Sequence, residues 1–236
     1  MKYIEKAASP RIYSRWCRAN AGTDKANWGE VPPAEKQAVL TALLEEQGRL
    51  CAYTMRRIET SSAHVEHIKP QHQCRSERAG AALDYTNLVA CYPRDGMKAP
   101  FRFGAQHKAD WWEEGGADFV SPLRRECEKR FHFGLDGRVA AVAGGRAAET
   151  TIRVLALNHG TLIEDRKHVI TELVYGPGGV KPLSRAQASR VRKEICGRGD
   201  DGSFQAYCVA IRGALEDYQA ALEKLPRRRR AARRRG

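Results

Sequence analysis

The run His64-Val65-Glu66-His67-Ile68-Lys69-Pro70 sets the tightest local limit on the fold. Side chains alternate along an extended chain, and proline cannot donate to a strand ladder, so a strand here stops at Pro70. A second limit lies in "KRFHFGLDGRVAAV", two alternating runs around Asp136-Gly137 that spell a β-hairpin. The residues around these short extended pieces follow helical spacing. In 32–50, Val39, Leu43 and Leu50 mark one stripe, with Gly48 expected to end the helix. Ser9 and Pro10 are expected to open a helix before "RIYSRWCRAN". Residues 147–175 read as helical on both sides of Asn158–Gly160, and 184–195 and 203–225 as two further helices. "LCAYTMRRI" and "AHVEHIKP" read as extended, 71–83 as a polar loop, and "AQHKADWWEEG" as a short helix stopped by Gly115 and Gly116. The fold class expected is α+β, mostly helical, with a small β-containing centre.

Charge narrows the partners. The formal net charge is +13, and the arginines Arg227–Arg230 and Arg233–Arg235 supply seven of those charges, so the body remains basic without them. A basic chain suits a polyanion, most simply nucleic acid, and the basic tail reads as an interaction arm or as a solvated, disordered end. No apolar run approaches the roughly 18 residues that span a bilayer, and the first residues, "MKYIEKAASP", lack a secretory apolar region. The expected setting is cytoplasmic, with no membrane partner. Seven widely spaced cysteines, an odd count with no Cys-x-x-Cys pair, argue against a disulfide framework.

The chemistry sits in the first run. Phosphodiester hydrolysis needs an activated water and a cation or donor where negative charge develops. An imidazole such as His67 can take the proton, and a carboxylate such as Glu66 can hold a divalent ion. Asn87, before Leu88-Val89, is a short amide fit to tie a loop, and "QHKAD" adds His107 and Asp110, three apart on one helix face. Lys69 and Lys108 flank these positions and are candidate nucleic-acid contacts, as are Arg227, Arg228, Arg229 and Arg230 of the tail. "GPGGVK" at 176–181 lacks the order of a phosphate-binding loop and reads as a turn, so control by a nucleotide must come from a partner.

In this order, "HVEHIKP", then "NL", then "HKAD" resembles the HNH, or ββα-metal, endonuclease signature. The likeness extends from about Ile4 to Tyr218 through "LLEEQGRLCAYTMRRI", "LDYTNLVAC", "VSPLRRECEKRFHFGLDGRV", "ETTIRVLALNHGTLIEDR" and "FQAYCVAI". There the chain resembles the HNH nucleases of bacterial Septu and retron systems, the PtuB type. The resemblance implies a ββα-metal core embedded in a helical scaffold, and an antiviral defence effector that cuts nucleic acid, DNA or possibly tRNA. It implies a partner ATPase of the PtuA type and, in retron settings, a reverse transcriptase with its DNA–RNA hybrid. By that resemblance His67 is the general base, Glu66 a ligand of a divalent ion (Mg²⁺ or Mn²⁺), and Asn87 the residue that orients the base. His107 or Asp110 completes the ion site, and His64 is a polar neighbour or a structural histidine.

One departure stands out. Many members of that family carry two cysteine pairs able to hold a structural zinc, whereas this chain keeps Cys51 and Cys91 but has Thr54 where a second cysteine is expected. Two thiolates do not close a tetrahedral site, so no structural zinc is expected on that pattern. The expected organisation is a helical segment over 1–49, the nuclease core over 50–118, a hairpin with C-terminal helices over 119–225, and a basic tail over 226–236. Two other readings stay open: a non-catalytic subunit that binds nucleic acid or the ATPase on a worn HNH core, and a stand-alone HNH nuclease.

Overall fold

A computed structural model describes residues 1–78, 80–94, 96–97 and 102–224; the tail arginines Arg227–Arg230 lie outside the described residues. The fold is α+β. Helices α1 (Arg11–Ala19) and α2 (Pro33–Glu46) precede strand β1 (His64–His67), helix α3 (Gln71–Glu77) and strand β2 (Leu88–Cys91). The four-residue helix α4 (Ala105–Lys108) follows, then the hairpin β3 (Phe131–Phe133) and β4 (Val139–Ala141). Helices α5 (Arg146–Val154), α6 (Gly160–Tyr175), α7 (Arg185–Glu194) and α8 (Cys208–Lys224) complete the chain.

Strands β1 and β2 pair antiparallel, with Glu66 opposite Val89 and His67 opposite Leu88. All four residues of β2 are buried. Its outer edge is closed by Gln47, whose amide donates to the Ala90 carbonyl and accepts from the Ala90 N–H, and by the Ala52 N–H on the same carbonyl. A buried edge satisfied in this way leaves no ladder groups open. β3 and β4 form the expected hairpin across Asp136-Gly137. Gly137 has φ +80°, and a Cβ there would meet the Ile163 carbonyl at 2.4 Å, so the turn that α6 packs against admits only glycine. One hydrophobic core draws on residues from Met1 to Ala210, crossing all three expected spans of the body, and a smaller cluster lies between α6, α7 and α8.

Several local expectations are corrected. Pro10, not Ser9, stands at the start of α1: its carbonyl accepts from Ser14 N–H, while the Ser9 hydroxyl bonds that of Ser14. Residues 50–57 form a knuckle, not a strand; Met55, at φ +62°, donates its N–H to the Cys51 carbonyl and leaves only a Leu50–Arg57 bridge. The polar stretch after Pro70 is helix α3, which rests on the buried Cys74. The helix expected across "AQHKADWWEEG" ends at Lys108, because Ala109 takes φ 46° and ψ −129°.

Candidate functional site

The end of β1 is fixed by Asn87. Its Oδ1 accepts from the Lys69 N–H and its Nδ2 donates to the Lys69 carbonyl, both at 2.9 Å. Its own backbone carbonyl accepts from Ile68 N–H. One side-chain amide thus replaces the ladder bonds that the strand loses before Pro70, and the chain turns into α3 from a fixed point.

Strand alternation sends Glu66 and His67 to opposite sides. His67 is buried, 5% exposed, with its ring edge-on to Trp28 at 5.3 Å between centroids. Its Nε2 lies 2.9 Å from the Ala82 carbonyl. A carbonyl only accepts, so Nε2 carries the proton and Nδ1 is the basic nitrogen of the neutral ring. Burial lowers the His67 pKa below its ordinary 6.5; the Ala82 carbonyl and the Glu66 charge oppose that shift, and the positive charges of Lys108 and Arg75 add to it.

Glu66 meets a cation from its own chain. The Lys108 ammonium, with its side chain 1% exposed, lies 3.0 Å from Glu66 Oε1 and 3.2 Å from the His67 carbonyl. The other carboxylate oxygen, Oε2, is 3.8 Å from His64 Nε2, and His64 Nδ1 is bonded to the Pro93 carbonyl. Burial raises the Glu66 pKa, but His64 and Lys108 together outweigh it and hold the carboxyl below its ordinary range. The fully buried Tyr53 hydroxyl has no hydrogen-bond partner among the described residues; burial first, and the Glu66 charge second, hold the phenol firmly protonated.

The remaining expected residues lie elsewhere. His107 is exposed, and its Nδ1 bonds the Val154 carbonyl of α5 at 2.8 Å. Asp110 is 88% exposed and stands 3.9 Å from His72 Nδ1. The structure therefore does not gather Glu66, His107 and Asp110, and among the described residues no three His, Cys, Asp or Glu side chains come together. The Lys108 ammonium, the His64 imidazole and the Tyr53 phenol face Glu66. A divalent ion does not fit that set, because the buried ammonium already holds Glu66 Oε1 and repels a second cation beside it. Lys108, expected on a nucleic-acid surface, is corrected to a buried partner of Glu66. Lys69 projects its ammonium to 5.9 Å from the Trp112 ring.

The sequence marked Lys108 only as a nucleic-acid contact, not as the partner of Glu66, and did not mark Trp28 or Tyr53. The one signal for Lys108 was its place in "QHKAD" beside the histidine that was chosen. Cys51 and Cys91 meet within the core: the Cys51 sulfur accepts from Tyr92 N–H at 3.4 Å. Burial opposes ionisation of both thiols, but bonds from Cys91, Thr54 and the Tyr92 N–H bring Cys51 down, while Cys91 is driven up. A cavity of about 600 Å³ lies apart from this site, lined by Lys2, Lys6, Glu46 and Arg198 among others. Its cations are already engaged, Lys2 by Glu128, Lys6 by Glu46, and Arg198 by the carbonyls of Glu45 and Glu46. No protein-family profile matches the chain, and no curated protein sequence matches it.

Proposed function

We propose that this chain hydrolyses phosphodiester bonds of nucleic acid, DNA first among them, as the HNH-type subunit of a bacterial antiviral complex governed by a partner ATPase. The observation that carries the reading is the state of His67. Its ring is fixed by Trp28 and Ala82, its tautomer leaves Nδ1 as the base, and burial favours the neutral form near pH 7. In the proposed reaction Nδ1 takes a proton from water, the water oxygen attacks phosphorus, the bond to the leaving oxygen breaks, and the leaving alkoxide takes its proton from solvent water. Asn87 supports this by fixing the backbone two residues after His67. Arg11, Arg15 and Arg18, exposed on α1 without an ion-pair partner among the described residues, give the polyanion a basic approach. The described residues do not fit the divalent ion that the resemblance implies, so no step is routed through one.

A second reading has its own support. A carboxylate already neutralised by a buried ammonium also suits a non-catalytic core that binds nucleic acid or the ATPase. One experiment separates the two: the purified chain, with and without the product of the neighbouring gene, is incubated with labelled DNA and RNA plus Mg²⁺ or Mn²⁺. Cutting that vanishes in His67→Ala is the expected result. Cutting that persists in that variant removes His67 from the reaction. Binding without cutting in every combination favours the second reading.

A further inference from the structure

We propose that Lys108 is the resident cation of this site: its ammonium occupies, against Glu66, the place a divalent ion would take, so an ion gains Glu66 only when Lys108 withdraws. The inference rests on Glu66 and His67 being the functional centre. Two contacts hold the ammonium, Glu66 Oε1 at 3.0 Å and the His67 carbonyl at 3.2 Å, so it braces the strand that carries both residues. Its side chain is 1% exposed, so these contacts are shielded from water and salt. Glu66 Oε2 stands 3.8 Å from His64 Nε2, outside hydrogen-bond distance, and Oε1 is held by the ammonium. Helix α4 has four residues and lies between Gly104, at φ 62° and ψ −133°, and Ala109, at φ 46° and ψ −129°. The alanine conformation is one that residues with a side chain rarely hold, and such strain clusters at active sites, ligand clamps and switch regions. Lysine and ion are then alternative occupants of one carboxylate, and the apparent ion affinity falls with the fraction of chains in which the lysine is withdrawn.

The test is calorimetric titration of MnCl₂ into the full-length chain, into Glu66→Gln, into Lys108→Met and into the double variant, each checked for folding by circular dichroism. The expected result has two parts. Glu66→Gln leaves Mn²⁺ binding of the otherwise unaltered chain unchanged, and Lys108→Met gains affinity by about tenfold or more, a gain that the double variant loses. A parent chain whose Mn²⁺ binding is lost with Glu66→Gln overturns the inference, and so does a folded Lys108→Met that gains nothing. Should Lys108→Met fail to fold, the parent and Glu66→Gln comparison decides alone. No cleavage is read here. A chain that binds ions as expected but cuts nothing counts against the proposed hydrolysis and leaves the resident-cation assignment standing.

Discussion

Asn87 holds Lys69 by both ends of its backbone, with Oδ1 and Nδ2 each 2.9 Å from their partners. The contact spans 18 residues and joins the start of β2 to the end of β1. Removing it in Asn87→Ala leaves the Lys69 N–H without its partner and the Lys69 carbonyl with only the weak Cys74 thiol donor, a cost of about 1–3 kcal/mol. Asn87→Asp keeps the acceptor but sets a carboxylate against the Lys69 carbonyl, and is expected to lose at least as much. Urea unfolding of both variants checks this; a loss under about 0.5 kcal/mol for Asn87→Ala would show that water replaces the clamp.

The pH response of stability follows from His67. Burial lowers its pKa in the folded chain below the unfolded value of about 6.5. Between those two values the unfolded state binds more protons, so stability rises with pH. The contribution of neutral His67 is complete above about pH 6.5 and is lost as pH falls through the folded value. Unfolding free energies measured from about pH 7.5 down to about pH 5 are expected to fall more steeply for the parent chain than for His67→Gln. Parallel curves for the two would mean that His67 does not titrate differently in the two states.

Local signals in the sequence carried much of the fold. Asp136-Gly137 announced β3 and β4 because a tight hairpin turn that needs a glycine at positive φ is written in adjacent residues. The long helices were legible from spacing, and Pro70 marked the end of β1. Helix α3 was missed because its sequence is nearly all polar and one buried residue, Cys74, ties it down. The knuckle at 50–57 was missed because aromatic and apolar residues there pack in a turn as readily as in a strand. At the site, Glu66, His67 and Asn87 stood out by residue type. The pairing of Glu66 with Lys108 spans 42 positions and rests on a four-residue helix too short to show periodicity. Nothing local distinguishes that lysine from a solvated one.

The Glu66–Lys108 pair is expected to behave as a buried ion pair in a double-mutant cycle. Lys108→Met alone leaves a shielded carboxylate without its cation, a loss of about 3–5 kcal/mol. Adding Glu66→Gln removes the stranded charge and recovers most of that loss, since a neutral pair of similar volume often matches a buried ion pair. Thermal or urea unfolding of the parent, both single variants and the double variant gives the coupling. Additive single losses would mean that the two groups do not interact.

Tyr53 offers the sharpest contrast with Asn87, because its hydroxyl is buried and bonded to nothing among the described residues. An unbonded hydroxyl in a fully enclosed position costs desolvation with no return, so deleting it relieves a penalty instead of breaking a bond. Tyr53→Phe keeps the ring and its edge-on contact with Phe119, whose centroid is 5.8 Å away. The variant is therefore expected to match the parent or exceed it by up to about 1 kcal/mol in urea unfolding. It is also expected to leave the Glu66–Lys108 coupling unchanged. A loss above about 2 kcal/mol would show that the phenol donates to Glu66 in solution, and the carboxylate would then have three partners from its own chain instead of two.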